Sequence, residues 1–205
     1  MINVIRLNSI DSTNNYAKEM IVQSRVPNRF AVVADAQSAG RGRYGKEFYS
    51  PAGCGVYLSY AFECGYALDD MQKITVVAAS LVHQVLQAHC KEELNIKWVN
   101  DILLGERKLA GILTERVDVA GSDSYYIIIG VGVNVLPTNV PSELTGIIAS
   151  LCEDSDPSVI TTITDELIAS FEASFEKADA FPALIDYYRE HCANLPSDFA
   201  GKLLD

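Results

Sequence analysis

The sequence lacks what would serve a membrane, a metal centre or a disulfide frame. No apolar run approaches the roughly 18 residues that a membrane-spanning helix needs, and the opening Met1-Ile-Asn-Val-Ile-Arg6 has no signal-peptide layout. A cytoplasmic protein with no membrane partner is expected. The five cysteines (Cys54, Cys64, Cys90, Cys152, Cys192) form an odd set without a C-x-x-C pair, and His83, His89 and His191 show no ligand spacing. Neither a disulfide framework nor a zinc site is expected, and no residue is assigned as a direct metal ligand. Repeats and low-complexity segments are missing as well. So is an excess of positive charge, since the chain carries a net −11. Residues 143–205 hold three Lys/Arg against thirteen Asp/Glu, a net of −10, which leaves −1 for residues 1–142. Such a chain repels a duplex backbone, so nucleic acid is not an expected partner.

What is present is an ordinary globular composition. With 205 residues, 49% of them hydrophobic and 21% charged, the chain can bury a sizeable core in one main domain with at most a small appendage.

The most informative stretch runs from Ser38 to Pro51. Gly40, Gly42 and Gly45 interleave with Arg41, Arg43 and Lys46 directly after the apolar run Phe30–Ala36. Glycine lets the backbone approach a ligand closely, and the cations suit phosphate or carboxylate oxygens, so the stretch reads as an anion-holding loop. The spacing Gly40-x-Gly42-x-x-Gly45 also fits the dinucleotide fingerprint. That reading needs a helix to begin inside the motif, whereas an aromatic stretch, Ser50-Pro51 and two more glycines follow. A kinase glycine loop fails too, because neither His-Arg-Asp nor Asp-Phe-Gly occurs downstream. A plain charged hairpin loop is the competing reading.

Taken in order, Ile2–Leu7 reads as a strand, and Asp11 or Ser12 is expected to cap a helix through Val22, with Ser12, Thr13 and Asn14 at its amide-rich start. Val56, Leu58, Tyr60 and Phe62 alternate with Tyr57, Ser59 and Ala61, the period of a half-buried strand. Leu68–Cys90 has the spacing of a long core helix, with His83 a surface or packing residue. Leu94–Leu104 and Arg107–Glu115 read as two strands joined by a tight hairpin at Gly105-Glu106. The polar Lys97, Asn100, Asp101 and Lys108 interrupt them, as an edge ion pair or as a functional group. Tyr125–Val135 is a near-continuous apolar run, as in a central strand covered on both faces, and Gly130 and Gly132 leave room against it. Residues 136–156 suggest a surface connection, helical only at 144–151. Asp156-Pro157 then opens a helix to about Ala178, and a second helix spans about Phe181–Cys192. The fold class is α+β (α/β): a mixed β-sheet with helices packed on one side and an acidic helical end.

Together these segments resemble the catalytic domain of biotin protein ligases. The family's Ser-Thr-Asn helix start is similar to Ser12-Thr13-Asn14, and its Gln followed by Gly-Arg-Gly-Arg-x-Gly to Gln37 and Gly40–Gly45. Its Lys-Trp-Pro-Asn-Asp resembles Lys97–Asp101, its Lys-x-x-Gly-Ile-Leu-x-Glu resembles Lys108–Glu115, and its Gly-x-Gly-x-Asn strand resembles Gly130–Asn134. The ordered set spans roughly residues 2–136.

The resemblance implies a class II aminoacyl-tRNA-synthetase-like fold, ATP and biotin as substrates with Mg²⁺, and a two-step reaction. Biotin is adenylated, then passed to a lysine of a biotin carboxyl carrier protein, an acetyl-CoA carboxylase subunit or other biotin-dependent carboxylase. By resemblance, Lys108, Arg43 and Asp101 are catalytic. Ser12, Thr13, Asn14, Gln37, Gly40, Arg41, Arg43, Lys108, Gly111, Leu113 and Gly130 bind biotin. Arg43, Phe48, Asn100, Lys108 and Asn134 attend the nucleotide. In a strict strand Lys108 and Gly111 would face opposite ways, so either Gly111 contributes backbone or a bulge intervenes.

Three positions depart from the family pattern: Val99 replaces proline, and Lys46 and Phe48 stand where Arg and Trp are common. Residues 1–180 are assigned to the catalytic domain and 181–205 to a helical end, a remnant or the start of a truncated small β-barrel. The DNA-binding module of the repressor-type ligases is expected to be absent. A lipoate-protein ligase and a non-catalytic biotin or nucleotide sensor are the competing functions, and a homodimer through a sheet edge is left open.

Overall fold

The structure, a computed structural model, describes residues 2–23, 26–64, 71–121, 124–152, 156–177 and 180–199. Seven strands form one mixed sheet: β1 (Asn3–Leu7), β2 (Arg29–Ala34), β3 (Gly55–Cys64), β4 (Leu94–Lys97), β5 (Asp101–Leu104), β6 (Arg107–Asp118) and β7 (Tyr125–Asn134). Their order is β1-β2-β3-β7-β6-β5-β4, with β1 and β2 parallel and every other neighbour antiparallel. The helices are α1 (Thr13–Val22), α2 (Met71–Ala88), α3 (Ser158–Lys177) and α4 (Phe181–His191). Leu68, the expected start of the long helix, lies outside the described residues. Among the described residues no helix is long and apolar enough to cross a membrane.

The mixed sheet expected from the sequence is present, and β7 takes the central place its unbroken apolar run requires. Helices α2, α3 and α4 pack on one face, where Leu58, Tyr60, Phe62, Ile127 and Ile129 meet Ile74, Val77, Phe171 and Tyr188 in the main core. The first helix goes to the other face. Its Ala17 and Ile21 close a second, smaller core over Phe30, Val32, Ala61, Tyr126 and Ile128. This division corrects the half-buried reading of β3, which is covered on both faces: Tyr57, Ser59 and Ala61 are each at most 1% exposed because α1 and the glycine-arginine loop lie over that side.

Two further differences are local. Leu94–Leu104 is not one strand: β4 ends at Lys97, Trp98–Asn100 turn through a cis Trp98–Val99 peptide, and β5 begins at Asp101 to pair with β4. Segment 144–151 forms no α-helix, and only Leu144 belongs to a 3-10 turn, Ser142–Leu144. Its Ile148 bridges to Lys108, with Lys108 N–H donating to Ile147 O and Ala149 N–H to Lys108 O. Short-range apolar spacing resembled a helix turn there, but the open edge of β6 offered the backbone better partners.

Candidate active site

Strand alternation decides what faces the second side of the sheet. Ser59 on β3, Gly130, Gly132 and Asn134 on β7, and Gly111, Leu113 and Glu115 on β6 come together on the α1 side. Above them, between α1 and the 37–49 loop, lies a cavity of about 770 Å³. It is lined by Ser12, Thr13, Asn14, Gln37, Arg41, Arg43, Phe48, Asn100, Asp101, Lys108, Gly111, Leu113, Gly130 and Asn134. These are all the residues given a catalytic, biotin or nucleotide role above except Gly40. A Cβ at Gly40 would run into Phe48 O and Ser50 Oγ, so this glycine allows the loop to fold back on itself.

On the α1 side the polar atoms form one chain. Ser12 is the N-cap but makes no side-chain cap bond; Gln37 Oε1 accepts instead from Thr13 N–H (2.9 Å) and from Thr13 Oγ1 (3.2 Å). Gln37 Nε2 donates to Ser50 Oγ (2.9 Å), which donates to Phe48 O (2.8 Å). The glutamine that opens the loop is therefore also the lid on the helix N-terminus, and loop and helix are placed together. Ser59 Oγ donates to Asn14 Oδ1 (2.5 Å) and lies 2.8 Å from Thr13 Oγ1. Gly130 is required here, because a Cβ would overlap the Asn14 amide.

The loop supplies the cations. No α-helix starts in it. Arg43–Gly45 makes a single 3-10 turn, with Tyr44 in the left-handed region at φ 56° and 87% exposed. Arg43 donates to Asn100 Oδ1 (3.2 Å) and to Tyr44 OH (2.9 Å). Asn100 is fixed in turn by exchange with Ile112: its Nδ2 donates to Ile112 O (2.8 Å) and its backbone oxygen accepts from Ile112 N–H (2.8 Å). Arg43 is thus aimed over β6 by the turn between β4 and β5.

Lys108 completes the set. The register of β5 and β6 shifts between Ile102 and Leu103, which pair with Ala110 and Lys108, so Leu109 is the extra residue of a bulge. The bulge rotates Lys108 onto the face of Gly111: the Lys108 ammonium would lie 2.9 Å from a Cβ on that glycine. Lys108 Nζ donates to Asp101 Oδ1 at 2.7 Å, and the pair lies in the cavity wall with side chains 32% and 26% exposed. Phe48 covers the glycine floor, where a Cβ at Gly132 would come 2.6 Å from its ring. Asn134 Nδ2 donates to Lys108 O (3.3 Å) and ties β7 to the bulge.

Two residues escaped the sequence reading. Ser59 is a fully buried hydroxyl beneath Thr13 and Asn14. Glu115 accepts from Asn14 Nδ2 (2.8 Å) and Lys18 Nζ (2.6 Å) and pairs with Arg41 (3.4 Å). Burial alone would raise the Glu115 pKa, but hydrogen bonds from Lys18 and Asn14 and the charges of Lys18 and Arg41 hold it below the usual carboxylate value. Its even-numbered spacing from Gly111 and Leu113, which sets all three on one face of β6, was the available signal.

The arrangement matches known proteins over most of its length. The Salmonella typhimurium bifunctional ligase/repressor BirA is 36% identical over 142 residues, 69% of this chain and 43% of that protein. The Paracoccus denitrificans biotin–[acetyl-CoA-carboxylase] ligase is 36% identical over 127 residues, 61% and 51% of the two chains. The chain spans about half or less of the length of these curated relatives. Among solved structures, the Aquifex aeolicus biotin protein ligase in complex with biotin and ATP superposes with a TM-score of 0.74 at 25% identity, covering 95% of this chain and 80% of that one. Residues 7–134, from the end of β1 through β7 and so including the whole glycine floor, match the biotin/lipoate A/B protein ligase family, and the chain belongs to that family.

Proposed function

We propose that the chain is the catalytic part of a biotin protein ligase acting in the cytoplasm. A biotin carboxylate oxygen attacks the α-phosphorus of ATP, the bond to pyrophosphate breaks, and biotinyl-5'-AMP forms. The neutral amine of a carrier lysine then attacks the acyl carbon, AMP leaves with the bridging oxygen, and the amine proton passes to solvent.

The observation that carries this reading is the convergence of Lys108 and the Arg41–Arg43 loop on one glycine-floored cavity. Joining two anions requires cations fixed beforehand where charge develops, and no protein nucleophile. Lys108, aimed by Asp101, attends the carboxylate and α-phosphate oxygens, and Arg43, aimed by the adjacent Asn100, attends the phosphate. Ser12, Thr13, Asn14, Gln37 and Arg41 hold the biotin end against Gly111, Leu113 and Gly130, while Phe48 and Asn134 attend the nucleotide. Asp101 also draws in the carrier lysine. No group of three His, Cys, Asp or Glu side chains gathers among the described residues to hold a metal, so Mg²⁺ would ride on the ATP phosphates.

Biotin is favoured over lipoate by the Gly-Arg-Gly-Arg loop, by the Lys97–Asp101 segment and by the names of the relatives above. The carrier is a biotin carboxyl carrier protein of a biotin-dependent carboxylase. Pairing of two copies along a sheet edge would add to this arrangement without altering the cavity. Biotin-dependent exchange of labelled pyrophosphate into ATP, with lipoate in parallel, tests the reading. Exchange with biotin alone is expected, and exchange with lipoate alone would overturn it.

A further inference from the structure

We propose that Glu115 is a positioning residue, which fixes Arg41, and through it the glycine-arginine loop, against the first turns of α1. Its side chain is only 15% exposed, and a carboxylate so placed is costly unless donors surround it. The donors come from two other elements. Asn14 and Lys18, four apart on one face of α1, reach it at 2.8 and 2.6 Å, and Arg41 reaches it from the loop at 3.4 Å. Arg41 is held at a second point, donating to Asn15 Oδ1 at 2.9 Å. The guanidinium therefore lies along the helix start, bracketed by Asn15 and Glu115.

Arg43 has no share in this clamp, being held by Asn100 and Tyr44. The loop is thus tied down at two independent points. The point at Glu115 also carries Asn14, whose amide fills the space over Gly130. Removing the Glu115 charge frees Arg41 and loosens Asn14 together, while the apolar contacts of β6 and α1 stay. The consequence for ligand affinity rests on the biotin reading above; the anchoring of the loop does not.

The test uses the full chain and two readouts. In Glu115→Gln, which keeps size and one acceptor, tryptic cleavage after Arg43 and Lys46 without added ligand is expected to speed up several-fold, with cleavage elsewhere unchanged. Arg41→Met is expected to accelerate the same cleavages equally, and the double variant to add nothing further, as for residues acting through one contact. Biotin affinity measured by calorimetry should weaken about tenfold in Glu115→Gln, the order of one charge-assisted contact. Wild-type cleavage in Glu115→Gln, or full additivity with Arg41→Met, would overturn the proposal. Should Glu115→Gln fail to fold, unaccelerated cleavage in Arg41→Met alone would overturn it. If the wild-type protein binds no biotin, the ligase reading fails while the cleavage data still decide the anchor.

Discussion

Replacing Lys108 by methionine separates the chemistry of the site from its stability. The substitution keeps the stem and removes one ammonium that donates to Asp101 at 2.7 Å in a wall about one-third exposed. For folding, a pair this open to water contributes about 1 kcal/mol or less, and the freed Asp101 can hydrate through the cavity. In a domain of this size that corresponds to a fall in Tm of roughly 2–4 °C. The backbone of Lys108 keeps its bonds to Ile147, Ala149 and Asn134 whatever the side chain, so the bulge should persist. For the reaction the loss is larger. A unit charge about 4 Å from the developing phosphate charge is worth on the order of 4 kcal/mol at an effective dielectric constant near 20. Removing one preorganised group of this kind typically slows the chemical step about 100- to 1000-fold. Pyrophosphate exchange at saturating biotin and ATP, alongside a thermal melt, reads both quantities. Lys108→Met retaining more than about a tenth of the wild-type rate would refute the assigned role. A collapse in Tm with the rate loss would mean that the residue is structural.

Other outcomes follow from the packing. Gly130→Ala sets a methyl group against the Asn14 amide, which Ser59 and Glu115 pin in place, so a loss of about 1–3 kcal/mol in a denaturant melt and weaker biotin binding are expected. His83 is buried between α2, α4 and β4, with Nδ1 2.8 Å from Tyr187 OH and Nε2 3.0 Å from Leu94 O. Burial lowers its pKa below 6.5, and the nearby His191 adds to this against the opposing Leu94 bond and Glu93 charge. The unfolded chain then takes up this proton first as pH falls. The contribution of neutral His83 is therefore complete above about pH 6.5 and is lost as pH falls below that value toward the folded pKa. His83→Asn should flatten the slope of stability against pH in that range, and an unchanged slope would exclude His83 as its source.

Much of the candidate site could be read from the sequence because it is built from residue types that are costly unless used. Three glycines among three cations, and Lys108 and Asp101 within apolar strands, stand out against any packing explanation. Even the bulge was visible as a conflict of parity between Lys108 and Gly111. What was not legible depended on partners distant in the chain. Tyr57, Ser59 and Ala61 look half-exposed until α1 is known to cross that face. Leu94–Leu104 reads as one strand because nothing local marks the Trp98–Asn100 turn as a break. Ile147 and Ile148 pair with β6 through backbone groups, which side-chain periodicity does not report. Glu115 closed a recognised motif, but its function lies in donors from Asn14, Lys18 and Arg41, about 74 to 101 positions away.

If this cavity joins a carboxylate to the α-phosphate of ATP, the oxygen itself can be followed. Biotin labelled with ¹⁸O in its carboxyl group would be incubated with the protein, ATP and Mg²⁺, with hydroxylamine as acceptor in place of a carrier, and the nucleotide product weighed by mass spectrometry. One ¹⁸O in AMP is predicted, because the attacking carboxylate oxygen becomes the bridge and stays with phosphorus when the acyl group leaves. Unlabelled AMP, or ADP as the product, would contradict the account.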